Sequence, residues 1–373
     1  MMKFQADREV LVDAISFAVR LLSPRPQLPQ LSGVLIEADA KQVNFSIFDY
    51  EVSAKASISA SVDTPGKVLV QARLLSEIVS KLPGDAVTFD LQDNRMLVTS
   101  GSAKFSLSAM SLAEYPNVPE APKGAGKVSA EAFAESISQV SVAASREEVT
   151  PVLTAVMVSV SSKEMTLVST DRFRVAVKTL PWSGNASDKE ILIPARVANE
   201  IAKTFAHEGE LEIGIAAGDK ETIGFAAGNK SVSTSTIKGK YPAVLGLFPG
   251  ETPHFAVVST EDLLSATKRV ALVVDRDKPV RYRFTGQEVS LESIGSDVAD
   301  ASEQVSGSLT GDEITVSLKP QFLIDALSAM ETDMVQLGFT ANPTNPNKPG
   351  PVLITPVGES NYRYLLQPNL LVS

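Results

Sequence analysis

The chain repeats itself. Leu153-Thr154-Ala155-Val156-Met157, moved back by about 122 positions, falls without a gap on Leu31-Ser32-Gly33-Val34-Leu35. The match continues from Thr170-Asp171-Arg172-Phe173-Arg174-Val175-Ala176 onto Phe48-Asp49-Tyr50-Glu51-Val52-Ser53-Ala54, and Pro151 falls on Pro29, Lys163 on Lys41. A second element occurs three times: Val68-Leu69-Val70-Gln71-Ala72-Arg73-Leu74 with Glu77, Ile191-Leu192-Ile193-Pro194-Ala195-Arg196-Val197 with Glu200, and Val316-Ser317-Leu318-Lys319-Pro320-Gln321-Phe322 with Asp325. A period this long is the size of a domain, far above that of a solenoid unit. The chain therefore reads as three homologous domains in tandem, 1–122, 128–250 and 254–373. Residues 117–127 and 248–253, rich in Pro and Gly and without apolar periodicity, are the linkers.

Each copy has the same internal order. Leu11, Ala14, Ile15, Ala18 and Leu22 recur at helical spacing until Pro24 and Pro26 end the pattern. Residues 34–38, 43–47 and 52–62 are short, β-branched and alternating, which predicts an antiparallel meander. A strand at 68–70 runs into a helix over 72–82 whose buried face is Leu74, Leu75, Ile78, Val79 and Leu82, and strands follow at 86–91, 95–100 and 104–109. Two helices on one face of an antiparallel sheet make an α+β layer. The second copy predicts helices at 130–144 and 195–205, with Tyr241-Pro242 as counterpart of Tyr115-Pro116. The third is the most diverged, with helices at 260–273 and 320–330, a long exposed loop at 342–351, a closing strand at 362–371, and no counterpart of Asp171.

Composition limits the chemistry. There is no cysteine, so disulfides, thiolate metal sites and cysteine nucleophiles are excluded. The start has no signal-peptide pattern and no apolar run approaches the roughly 18 residues of a membrane span, so a soluble, cytoplasmic protein without a membrane partner is expected. With 34 basic and 44 acidic residues the net charge is −10, which argues against nucleic-acid binding through the whole surface but leaves room for a local basic patch.

Catalysis needs converging titratable groups. The two histidines, His207 and His254, lie in unlike contexts, and no Gly-rich phosphate loop is present. No active site, metal or cofactor is expected. Asp49 and Asp171 occupy equivalent turns of separate domains and read as turn residues accepting backbone N–H bonds. Trp182 and the scattered Phe residues form no stacking stripe. Arg20, Arg73, Lys81, Arg196, Lys203, Lys268 and Arg269 lie on or at the ends of predicted helices, off the apolar stripes. Each alone is a solvated helix residue; together they suggest a basic helical face that attracts phosphate without reading sequence.

Three stretches carry a resemblance along the whole chain: Pro24-Arg25-Pro26-Gln27-Leu28-Pro29-Gln30-Leu31-Ser32-Gly33-Val34, Ser169-Thr170-Asp171-Arg172-Phe173-Arg174-Val175-Ala176 and Tyr364-Leu365-Leu366-Gln367-Pro368. In these the sequence resembles the bacterial DNA polymerase III beta subunit, the sliding clamp. The resemblance implies the DNA clamp fold: a homodimer whose two chains close head to tail into a ring of six domains, sheets outside and helices inside, around double-stranded DNA of any sequence. It also adds Arg25 to the DNA-facing residues. The ring would perform no bond chemistry, 3′-5′ exonuclease activity included. It would tether the replicative polymerase catalytic subunit, the clamp loader, repair polymerases and ligase through short peptides.

The family's peptide pocket lies between the second and third domains. Carried over, it comprises Leu153, Thr170, Arg172, Phe173, Arg174, Val175, Pro242, Leu247, Leu365, Gln367 and Pro368. Three positions depart from the family. Gly246 and the tail at Leu370 stand where basic residues are common, and Gln367 where Met is usual. These changes raise a second expectation, a specialised second-copy clamp whose altered pocket escapes a pocket-directed inhibitor and so confers antibiotic resistance. The rivals from other classes are an enzyme with a site between domains and a DNA-binding regulator held by contacts alone.

Overall fold

The computed structural model describes the chain except residues 186–188, 217–220, 276–277, 295–298, 342–348, 359 and 370–373. Six helices carry the repeat: α1 (Arg8–Arg20), α2 (Ala72–Ser80), α3 (Ala130–Ser141), α4 (Ala195–Phe205), α5 (Thr260–Val270) and α6 (Pro320–Ser328). Most stop two or three residues before the sequence expectation, as fraying last turns do. A short strand not foreseen from the sequence precedes the first helix of each repeat: Met2–Asp7, Gly126–Ser129 and Phe255–Ser259. The residue ending each strand caps the helix that follows. Asp7 Oδ1 accepts from the Glu9 amide at 2.8 Å, Ser129 Oγ from Ala132 at 3.3 Å and Ser259 Oγ from Asp262 at 3.3 Å.

The chain packs as two compact units: Met1–Ala134 with Trp182–Ala186 and Arg196–Thr236, and Glu135–Pro181 with Ser187–Ala195 and Ile237–Ser373. The first contains a five-stranded and a nine-stranded sheet; in the second, twelve strands run in one series. The strand pairings are antiparallel, as expected. In the first unit Leu11, Ala14, Ile15, Phe17 and Ala18 of α1 are buried, and Phe17 packs edge-on against Phe205.

One construction recurs in both units. The closing strand of a repeat adds to the third strand of the meander in the repeat before it. In the first unit Lys230–Ser235 pairs with Val52–Ser59, placing Val232 opposite Ala54. In the second, Tyr362–Leu366 pairs with Arg174–Pro181, placing Tyr364 opposite Ala176. The middle repeat shares one sheet with its predecessor and another with its successor. Its strands therefore divide between the two packing units.

Leu74 does not belong to the buried face of α2. It is 49 % exposed, while Leu75 and Val79 are fully buried. Its repeat counterpart Val197 is buried; the two hold the same position in equivalent helices, and neighbouring structure separates them. The loop expected at 342–351 falls mostly outside the described residues, but its last three residues open the strand Pro349–Pro356. The closing strand ends at Leu366, not 371.

Candidate functional site

The second unit builds its site on the turn after strand Glu164–Thr170. Asp171 Oδ1 accepts from the amides of Phe173 at 3.1 Å and Arg174 at 3.2 Å, as Asp49 Oδ1 accepts from Glu51 at 3.1 Å and Val52 at 2.8 Å. Both carboxylates hold turns, as the sequence suggested. The turn puts Arg172 at φ 81° and its counterpart Tyr50 at φ 73°, a left-handed conformation that costs a side-chain-bearing residue about 1 kcal/mol. Thr170 Oγ1 donates to the Arg174 carbonyl at 2.7 Å and accepts from the Arg172 amide at 3.2 Å. Arg172 Nη2 reaches out to Thr150 Oγ1 at 2.9 Å.

A tyrosine fixes each turn from below. The Thr170 amide donates to the Tyr241 hydroxyl at 3.0 Å, and the Phe48 amide to the Tyr115 hydroxyl at 2.9 Å. Burial, only partly offset by the backbone donor, pushes the Tyr115 hydroxyl up to about 12, and burial also raises that of Tyr241.

Arg174 is a buried cation, 5 % exposed. Its Nε donates to Asp171 Oδ2 at 2.8 Å and its Nη1 to Asp325 Oδ2 at 2.6 Å and to the Tyr364 hydroxyl at 3.2 Å. Burial works against this charge, but the Tyr364 oxygen, Asp325 and Asp171 outweigh it and hold the guanidinium above its ordinary pKa. The group also lies 4.2 Å from the centre of the Phe322 ring.

Beside this network is a cavity of about 430 Å³, within the 300–1,000 Å³ range typical of ligand clefts. Arg172, Phe173, Arg174 and Val175 of the turn line it, with Leu247 and Pro249 after the Tyr241 segment, Leu365 and Gln367 at the chain's end, and Thr340, Ala341 and Pro351 from strands of the third repeat. Val175 faces Leu365 across paired strands, and both join a buried cluster with Tyr241 and Val244. Phe173 and Leu247 stand exposed at the rim, 60 % and 59 %. The cavity is thus an apolar floor with open apolar walls and two guanidiniums, those of Arg172 and Arg174, at its edge.

Seven of the expected pocket residues come together here: Arg172, Phe173, Arg174, Val175, Leu247, Leu365 and Gln367. Leu153 and Thr170 are buried and do not line the cavity; Thr170 supports the turn instead. Pro242 is exposed and Pro368 buried, both off the lining. Gly246 is exposed with open space where a Cβ would project, and Leu370 lies outside the described residues. The sequence reading missed Pro249, Thr340, Ala341 and Pro351. Alternation across 334–341 and 349–356 could have marked the two strands, but no local signal sets them beside Phe173.

The eight expected DNA-facing residues, Arg20, Arg25, Arg73, Lys81, Arg196, Lys203, Lys268 and Arg269, are all exposed. Lys203 pairs with Glu200 at 3.3 Å and Arg269 with Glu303. Arg20 also lines a second cavity, in the first unit, of about 330 Å³ with Arg8 and Lys230, the last paired with Asp13 at 2.8 Å.

Among the described residues no group of three His, Asp or Glu could hold a metal ion, and no helix is long and apolar enough to cross a membrane. His254 shares a hydrogen bond with the Asp312 carbonyl at 2.7 Å.

The family model for the DNA polymerase III beta subunit matches in three parts: the N-terminal domain over 2–119, the central domain over 127–243 and the C-terminal domain over 246–369. The beta sliding clamp of Micrococcus luteus is 43 % identical over 82 % of this chain and 98 % of its own, and that of Streptomyces coelicolor 37 % over 98 % and 99 %. The beta sliding clamp homolog GriR of Streptomyces muensis is 35 % identical over 98 % and 99 %. The crystal structure of the Bacillus subtilis DNA polymerase sliding clamp has the same fold, with a TM-score of 0.90 at 24 % identity over 99 % of both chains.

Proposed function

Because this chain belongs to the DNA polymerase III beta subunit family and is a sliding clamp, we propose that two copies close head to tail into a ring around duplex DNA. The ring tethers the replicative polymerase, the clamp loader and repair proteins, which dock short peptides in the Phe173–Leu247 cavity. The protein works in the cytoplasm and breaks no bonds.

One observation carries the ring. Both intramolecular joints add a repeat's closing strand to the third strand of the meander in the repeat before it, and among the described residues the same two edges remain open at the ends of the series. The closing strand of the first repeat, Ala103–Ser108, pairs only with Arg95–Ser100 among the described residues. In the third repeat, Ser302–Thr310 pairs through its first half with Glu288–Ser293 and through its second with Phe255–Ser259, so among the described residues its first half has one edge unpaired. A second copy can supply the missing partner in each direction.

Side chains at these edges support the same reading. Phe105, the third residue of the first closing strand, is 42 % exposed, whereas Val232 and Tyr364 at the same position are fully buried. Leu74, third in α2, is likewise exposed where Val197 is buried. A contact between two different patches generates a ring when the rotation closes.

A closed ring need not grip. Weak, salt-sensitive phosphate contacts from Arg20, Arg25, Arg73, Lys81, Arg196 and Lys268, with Lys203 and Arg269 freed from their carboxylates, let it slide while topology prevents its loss. Tethering then raises the local concentration of a polymerase at the primer end. The test is retention on circular DNA: a loaded ring stays on a nicked circle and leaves when the circle is cut. Equal loss from both forms would favour a protein held by contacts.

The resistance-related second copy has no observation that favours it over this reading. Among the described residues Gly246 lies off the cavity lining, and Gln367 is the one departure that the cavity contains.

A further inference from the structure

We infer that Arg174 is a positioning residue: its guanidinium ties the cavity wall to the joint between the second and third repeats, so that filling the cavity and holding the joint are linked. This role rests on the peptide-pocket reading above.

The argument starts from what the charge connects. Asp171 lies in the second repeat, while Asp325 on α6, Tyr364 on the closing strand and Phe322 lie in the third. Arg174 touches all four. The Tyr364 hydroxyl passes the connection on by donating to the Phe322 carbonyl at 3.1 Å. The Phe322 ring stacks against Phe173, the exposed cavity wall, at 6.3 Å and 27°. The Gln367 backbone N–H donates to the Phe173 carbonyl at 2.8 Å. One buried guanidinium therefore supports Phe173 from both repeats.

Such a network is not required to build a joint. In the first unit the same strand addition places Val52, fully buried, where Arg174 stands. Glu200, the counterpart of Asp325, turns instead to Lys203. A buried ion network contributes little net stability against its desolvation. What it does contribute is geometry, because a planar guanidinium directs its N–H groups to two carboxylates at fixed angles, as an ammonium cannot. The Gln321 amide holds the other Asp325 oxygen at 2.8 Å, so Asp325 is itself fixed. The network thus occurs at the joint that carries the cavity, and Asp325, which does not line the cavity, controls its wall.

The test uses the full chain and a fluorescein-labelled synthetic hexapeptide ending in Leu-Phe, with affinity read by anisotropy and melting temperature read with and without peptide. Asp325→Asn is expected to weaken binding tenfold or more at a temperature where the variant is folded, and Asp325→Glu to restore part of it. Arg174→Met combined with Asp325→Leu, an apolar joint like that at Val52, is expected to regain the melting temperature but not the affinity, and peptide should raise the melting temperature of the wild type far more than that of the double variant. Binding by Asp325→Asn within twofold of wild type, or a double variant that regains both stability and affinity, overturns the positioning role. Should Asp325→Asn fail to fold, Tyr364→Phe, which removes a contact of Arg174 and leaves the cavity lining intact, is held to the same twofold limit. If the wild-type chain does not bind the peptide, the pocket reading falls and the positioning role with it.

Discussion

The hydroxyl of Tyr241 accepts a hydrogen bond from the Thr170 amide at 3.0 Å, fastening the end of one repeat to the turn that shapes its cavity. Tyr241→Phe would leave that buried N–H without its acceptor. The expected loss of stability is about 1–3 kcal/mol, read from denaturant midpoints at unchanged slope. The same substitution at Tyr115 should cost less, because that hydroxyl is only part-buried.

Alkaline pH should loosen the turn that Tyr115 holds. The Tyr115 hydroxyl is held up to about 12, above the ordinary tyrosine value near 10, by burial first. The folded form therefore keeps a proton that the unfolded form has released. This contribution to stability is complete below about pH 10 and is lost as pH rises through about 12. Melting temperature against pH should fall over that window, and fall less steeply in Tyr115→Phe.

Gly214 and Gly246 should respond oppositely to alanine. A Cβ on Gly214 would stand 2.1 Å from the Pro122 backbone, where the linker lies on the sheet, whereas one on Gly246 meets nothing within 4 Å. Gly214→Ala is expected to cost about 3 kcal/mol and Gly246→Ala almost nothing, measured by thermal melts of both variants.

Phe105→Asp should break the ring without unfolding the chain. The side chain is already 42 % exposed in the single chain, and a carboxylate there would be buried only by a second copy. Light scattering should read two chains for the wild type and one, 39.6 kDa, for the variant. A stable two-chain particle in the variant would count against the proposed edge pairing.

Replacing Arg20, Arg73 and Arg196 together by Gln should leave the fold intact and reduce the dependence of log affinity for a short duplex on log salt by about 3, close to 0.9 per lost phosphate contact. An unchanged slope would show that these exposed residues do not meet DNA.

Phe173→Ala and Leu247→Ala should each weaken a Leu-Phe peptide about tenfold, as truncated anchors in a docking cavity do. Gly246→Arg and Leu370→Arg test the specialised-copy reading. If neither changes affinity for the peptide or for a pocket-directed inhibitor, those departures have no bearing on specificity.

Sequence alone determined the repeat, and with it most of the fold. Matching Leu31 to Leu153 and Asp49 to Asp171 fixes equal turns in two repeats, because an Asx turn is a local arrangement set by residues two and three positions apart. Helical spacing likewise placed the six helices, since an apolar stripe is written in one segment. Burial is not local in this way. Leu74 and Val197 have the same spacing and opposite exposure, and only the neighbouring strands and helices decide between them.

The cavity shows the same division. Phe173, Val175 and Leu365 could be named from motifs, but Thr340 and Pro351 reach it through sheet pairings that no short segment records. Nor does any pattern near Arg174 announce a partner 151 residues away. Tertiary structure brought Asp325 to it, because a buried guanidinium must find carboxylates wherever the fold provides them.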